Sequence, residues 1–193
     1  MNFRRMLIGC LALITSAVPA LAQKPQNYVN SEFGLRVSFP ADGKVCPALS
    51  GDHPHGFYAW YHGPPTPCGS THIDPVVSAI SVNAYYNSDY TSAWDQLESA
   101  CRSRKPNALV GYDELDRLAF KGYESVTCLQ TTPDGRIEID VAALGGKWIE
   151  SNDSPALKVR SIIYFSHLST NPKRFKSDMV MFRHFMDALE IRE

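Results

Sequence analysis

The sequence contains no CxxC pair, no Gly-x-Ser-x-Gly elbow and no glycine-rich loop ending in Lys-Ser or Lys-Thr. Thiol redox and zinc-ribbon sites, the α/β-hydrolase nucleophile and phosphate loops each need their residues at fixed spacing, so these absences weigh against all of them. Gly145-Gly146-Lys147 lacks the upstream glycine and downstream hydroxyl of a phosphate loop and reads as a turn. After the first 22 residues no apolar run approaches the roughly 18 that a membrane helix requires, so no membrane span is expected in the mature chain. An excess of positive charge is missing too. Without Arg4 and Arg5, 17 of the 19 basic residues remain against 20 acidic ones, a formal charge of −3. A phosphate backbone needs a basic face, and this balance argues against nucleic acid as a partner.

What is present begins with an export pattern. Asn2-Phe3-Arg4-Arg5 is charged, Met6 to Ile14 is apolar, and Ala20-Leu21-Ala22 is a small-x-small cleavage site. A lipoprotein box at Leu7-Ile8-Gly9-Cys10 leaves only Met6 to Gly9 as its apolar segment, shorter than the roughly 7 to 15 residues an export signal needs. The expectation is therefore a signal peptide over 1–22 and a single domain over 23–193, periplasmic or secreted after cleavage. With 44% apolar and 11% aromatic residues the chain can bury a core, which excludes a disordered chain. Cleavage discards Cys10 and leaves Cys46, Cys68, Cys101 and Cys128 in an oxidising compartment, where an even count reads as two disulfides. Three connectivities are open. Cys46 and Cys68 flank one Pro/Gly-rich stretch, while Cys101 ends a predicted helix and Cys128 lies in a predicted strand, which favours Cys46–Cys68 with Cys101–Cys128.

Apolar periodicity supplies the elements. Leu35, Val37 and Phe39 alternate with polar residues up to Pro40, and Phe57 to Tyr61 is an aromatic run ending at Gly63-Pro64-Pro65. Ile80, Val82, Ala84 and Tyr86 share one face of a strand over Val77 to Tyr86. Ser92 and Asp95 have capping-box spacing, and Trp94, Leu97 and Cys101 continue a helix to about Arg102. Leu115 to Phe120 and Tyr123 to Thr131 read as strands. Thr132-Pro133-Asp134-Gly135 is a tight turn into Arg136 to Leu144, and Leu157 to Ser166 alternates as a last long strand. Asn171-Pro172 starts a terminal helix with Phe175, Met179, Phe182, Met186 and Leu189 on one stripe. Short connections favour antiparallel pairing, so the expected class is α+β: a mostly antiparallel sheet of six or seven strands flanked by two main helices.

Several of these features occur in an order that resembles the PsbP-like superfamily. They are the opening hairpin from Tyr28 to Pro40 with its Phe33-Gly34-Leu35-x-Val37-x-Phe39-Pro40 pattern, a helix after the third strand, Lys121-Gly122-Tyr123, and a closing strand followed by Met181 to Leu189. That superfamily includes the photosystem II oxygen-evolving-complex protein, a Ran-binding nuclear protein and exported bacterial proteins. The resemblance covers nearly the whole mature chain. It implies an α-β-α sandwich used as a binding or accessory module, and it transfers no catalytic residue and no cofactor.

Side chains able to do chemistry are few. His53, His55 and His72 are candidate metal ligands for a small metal-dependent hydrolase, because neutral imidazoles suit Zn²⁺ or Cu²⁺. Their spacing is not diagnostic and equally suits a solvated loop. Glu138 and Asp140 share a strand face, where alternation puts charges outward for solubility. His184 sits among Phe182, Phe185 and Met186 and reads as a helix-end side chain. Aromatic residues carry more weight. Tyr58, Trp60 and Tyr85 are the expected binding surface, because Tyr and Trp bury much area at low entropic cost. The resulting expectation is a non-enzymatic exported protein that meets a protein partner in the envelope, or a small ligand, through its aromatic strands and the cross-linked Pro/Gly/His loop. Reductant should lower the unfolding midpoint, each disulfide contributing about 3 kcal/mol. Cys101→Ser with Cys128→Ser should cost more than loss of the local pair, and a midpoint indifferent to reductant in thermal melts contradicts this.

Overall fold

The computed structural model describes residues 26–40, 43–50, 53–63, 67–69, 74, 76–88, 92–95, 115, 117–150 and 158–192. The expected signal at 1–22, His72, Cys101 and most of the helix after Ser92 lie outside these residues.

The strands are β1 (Gln26–Asn30), β2 (Leu35–Phe39), β3 (Lys44–Ser50), β4 (His53–Tyr61), β5 (Ser78–Tyr86), β6 (Ser125–Thr131), β7 (Ile137–Glu150), β8 (Lys158–Thr170) and β9 (Glu190–Ile191), with helix α1 (Phe175–Asp187) before the last. They form a three-stranded sheet, β1-β2-β9, and a six-stranded sheet, β3-β4-β5-β8-β7-β6. Every paired neighbour is antiparallel. This is an α+β fold.

One face of the large sheet makes the core. Period-2 alternation places Ala59, Ile80, Val82, Ile139, Val141, Tyr164 and Leu168 in a single buried cluster. The stripe Phe175, Met179, Phe182 and Met186 of α1 and the inward side chains Leu35, Val37 and Phe39 of β2 close over it. Phe185 stacks on Phe182 and meets Phe39 with ring centroids 5.0 Å apart. Burying one such ring stabilises by about 1.5–3 kcal/mol. The Tyr164 hydroxyl donates to the Phe33 carbonyl at 3.1 Å, tying the small sheet to the large one. At that junction Gly34 has φ +66°, and a Cβ there would stand 2.0 Å from the Arg192 carbonyl oxygen, so the β1–β2 turn and the C-terminal strand require glycine.

Several expected elements differ from those observed. Leu115 to Phe120 is not a strand: Leu118 N–H donates to the Leu115 carbonyl in a turn, while Leu118 and Phe120 are buried in the core. Their alternation therefore reflects burial without ladder pairing. β3 was hidden by Pro47, which an edge strand tolerates because one side of its ladder is unpaired. Gly145-Gly146-Lys147 is not a turn but an irregularity inside β7, where the register with β8 shifts between Gly145 and Trp148. Helix α1 starts at Phe175 rather than at Asn171-Pro172, whose residues form the preceding turn.

Phe185→Ala should cost about 3–5 kcal/mol, while Val180→Ala, exposed on the same helix, should stay within about 0.5 kcal/mol. Equal costs in denaturant unfolding contradict this orientation of α1.

Candidate functional site

The face of the large sheet turned away from α1 carries most of the chemistry. The pairing register sets six residues in one cross-strand row: Cys46, Tyr58, Ser81, His167, Asp140 and Cys128. Both end residues are disulfide-bonded, Cys46 to Cys68; the expected partner of Cys128, Cys101, is outside the described residues. The row is thus pinned at each edge of the sheet. At its centre His167 Nδ1–H donates to Asp140 Oδ1 at 2.6 Å. Asp140 is buried, although alternation alone assigned it outward with Glu138 for solubility. Glu138 instead accepts from the Gln130 amide at 2.9 Å, so the two carboxylates have separate partners and do not work as a pair. Ser81 sits opposite His167, yet no hydrogen bond joins its hydroxyl to that ring among the described residues. The row is therefore not a nucleophile relay as it stands.

The expected metal ligands are not brought together by anything described. His55 Nδ1–H donates to the Ala84 carbonyl at 3.1 Å and the ring stacks on Tyr85, while the side chains of His53 and His72 lie outside the described residues. Among the described residues no three His, Cys, Asp or Glu side chains are grouped to hold a metal ion. His62 points elsewhere, its Nε2–H donating to the buried Asp178 of α1 at 3.1 Å. Asp178 Oδ2 also accepts from the Ser78 and Thr170 hydroxyls, each at 2.5 Å, so this carboxylate anchors the helix to the sheet.

The expected aromatic trio divides. Tyr58 and Trp60 form an edge-to-face pair 5.3 Å apart and are half-buried, and the Tyr58 hydroxyl accepts from Gly69 N–H of the cross-linked loop. Tyr85 lies four residues along β5 from the Tyr58 row, about 13 Å away. It is 40% exposed, and its neighbours at that end of the sheet include Tyr86 at 59%, Trp94 at 45% and Trp148 at 59%. Burial pushes the Tyr85 hydroxyl pKa up, and a hydrogen bond to Glu32 does the same to Tyr86. Register explains the gathering: Tyr86 pairs with Ile162, two residues from Arg160, and Arg160 pairs with Trp148. Trp94 and Trp148 line a cleft of about 700 Å³ with Tyr123, Val126, Leu144 and Arg160. Neither tryptophan stands out in sequence. Trp94 looks like a helix-face residue, and Trp148 follows two glycines that read as a turn.

Fold and surface together describe an α+β protein with a cross-linked, aromatic outer face. No family model matches the chain, and no curated protein matches it. Among solved structures the chain is similar to the solution structure of cyanobacterial PsbP (CyanoP) from Synechocystis sp. PCC 6803. Sequence identity is 13%, 96% of this chain and 99% of that chain are covered, and the TM-score is 0.41. No residue role or activity is taken from it.

Beside the cleft the capping box forms as its spacing predicts. Ser92 Oγ–H donates to Asp95 Oδ2 at 2.7 Å and the Asp95 N–H donates back to Ser92 Oγ at 3.0 Å. The Ser92 hydroxyl and then its backbone N–H hold the Asp95 carboxyl below the usual range. A carboxylate with a lowered folded pKa stabilises above its unfolded pKa, and the contribution disappears as pH falls through the folded value. Asp95→Ala should therefore lower Tm at about pH 7 and differ progressively less from the parent chain toward about pH 3. A Tm difference that does not change with pH contradicts the capping role.

Proposed function

We propose that the chain is an exported, non-enzymatic binding or accessory protein of the cell envelope, engaging a protein partner through the end of the large sheet that bears Tyr85, Tyr86, Trp94 and Trp148. One observation carries this reading: all four exposed large aromatic side chains among the described residues lie toward that end of the sheet, Trp94 and Trp148 lining the cleft and Tyr85 and Tyr86 on opposite faces of β5. Exposed apolar residues scattered singly need no explanation, whereas two exposed tryptophans lining one cleft have the composition of a binding hot spot. Export is supported by the charged, apolar and small-x-small pattern of 1–22 and by disulfide bonding at Cys46, Cys68 and Cys128. Of the three residues expected from sequence, this reading keeps Tyr85 and gives less weight to Tyr58 and Trp60, which are half-buried, the Tyr58 hydroxyl being bonded to Gly69 N–H.

A photo-reactive amino acid at Tyr86 or at Trp148, introduced in cells of the native host, should give the same crosslinked envelope protein. The same probe at Val180 on α1 should not. Identical products from all three positions, or none from the first two, refute the reading.

A further inference from the structure

Helix α1 turns its apolar stripe to the core and a cationic side to solvent. Around its axis Lys176, Val180, Arg183 and Asp187 fall within about 60° of one another, away from buried Phe175, Phe182 and Met186. Exposed Lys173 and Arg174 stand in the turn that leads into the helix, so four cations lie along about 15 Å of chain. Among the described residues none of these four side chains makes a hydrogen bond or has a carboxylate within ion-pair distance, and Arg183 Nε is buried with no acceptor. Arg136, Arg160 and Arg192, by contrast, each donate to an oxygen of the chain. The acids of α1 and β9 do not offset the four. Asp187 lies at the far end of the face, Glu190 is paired with Arg192, and buried Asp178 accepts from Ser78, Thr170 and His62. The face is positive although residues 23–193 carry a formal charge of −3.

Fold stability does not account for this placement. Lys173, Arg174 and Lys176 surround the N-terminus of α1, where the helix dipole is already positive and cations are unfavourable. Arg174 is the N-cap residue and makes no side-chain cap hydrogen bond. Cations held there without partners in their own chain fit an anion outside it. Composition selects the anion. Protein contact surfaces are rich in Tyr and Trp and poor in Lys, whereas on α1 Val180 is the one exposed large apolar side chain among the described residues. Flexible cations around a short apolar side chain need no complementary pocket and suit a layer of phosphate headgroups. A second copy would bring the same cations face to face.

We propose that Lys173, Arg174, Lys176 and Arg183, around Val180, rest on an anionic lipid surface. This goes beyond the partner-binding reading and uses another part of the molecule. Asp178 ties α1 to Ser78 and Thr170, where β5 begins, about 26 Å along that strand from Tyr86. Lipid and partner therefore do not compete for one surface.

The test mixes the whole processed protein with vesicles of phosphatidylcholine and phosphatidylglycerol, and with phosphatidylcholine alone. Only the first should bind, and binding should vanish as salt rises from about 0.1 M to about 1 M, which shortens the screening length from about 10 Å to about 3 Å. Each Lys or Arg near such a surface strengthens attachment roughly fivefold, so Lys173→Ala, Arg174→Ala, Lys176→Ala combined should weaken it about a hundredfold. The same triple variant should melt no lower than the parent chain, because it removes cations from a positive helix end. The charge-preserving variant Lys173→Arg, Arg174→Lys, Lys176→Arg should bind as the parent does. A photo-reactive amino acid at Val180 should capture phospholipid, and one at Tyr86 should not. Equal binding to phosphatidylcholine alone, full binding by the alanine variant, lost binding by the charge-preserving one, or lipid capture at Tyr86 equal to that at Val180 overturns the proposal. So does poly-glutamate binding as tightly as the vesicles, which makes the occupant an acidic protein. Displacement from vesicles by inorganic phosphate at constant ionic strength makes it free phosphate, and a dimer abolished by the alanine variant makes it a second copy. Protein crosslinks at Tyr86 and Trp148 test the partner reading alone, and lipid capture at Val180 tests this one alone.

Discussion

β7 and β8 hydrogen-bond from Ile137–Thr170 to Glu150–Lys158 across the middle of the large sheet. A dry backbone amide without a partner is costly, and each of these strands supplies the other's hydrogen bonds on both sides of the irregularity between Gly145 and Trp148. The neighbouring strands are shorter: β6 stops pairing at Ala143, and β5 stops at Tyr86 opposite Ile162. The shared part of the ladder builds the core, and the overhang builds the cleft. Both the stability of the fold and the shape of its aromatic end follow from that difference in length.

Both faces of the shared part are buried, with different chemistry. Toward α1 the contacts are mostly apolar, and Asp178 enters there with Ser78, Thr170 and His62 as partners. The other face holds the His167–Asp140 pair within a row ending in disulfide-bonded cysteines. A buried carboxylate is tolerable beside an imidazole N–H and expensive without one. Trp60 Nε1 and Asn83 Oδ1 on the same face are buried with no hydrogen-bond partner among the described residues.

Period-2 patterning made β2, β5, the start of β7, and β8 legible, together with the helical stripe of α1, because each has one face in the core. The same rule failed where its premise did. Leu118 and Phe120 are buried without belonging to a ladder, β3 is an edge strand interrupted by Pro47, and β9 is too short to show a period. Gly145-Gly146 read as a turn because two glycines usually break a strand; here Gly146 takes φ +76° within the β7 irregularity, with Ser161 and Ile162 where a Cβ would project. Of the aromatic residues singled out from sequence, Tyr85 is exposed, while Tyr58 and Trp60 are half-buried against each other and the Tyr58 hydroxyl accepts from Gly69 N–H.

The composition and order of residues alone settled the class of the chain: an α+β protein rich enough in apolar residues to fold, with alternating strands and an amphipathic closing helix. Those properties are local, since a pattern of period 2 or 3.6 depends only on neighbours along the chain. Which aromatic rings stay exposed and which carboxylate is buried depended on residues far apart in sequence. Trp148 meets Arg160, and Asp140 meets His167, through ladder register alone, and register is set by the packing of the whole sheet.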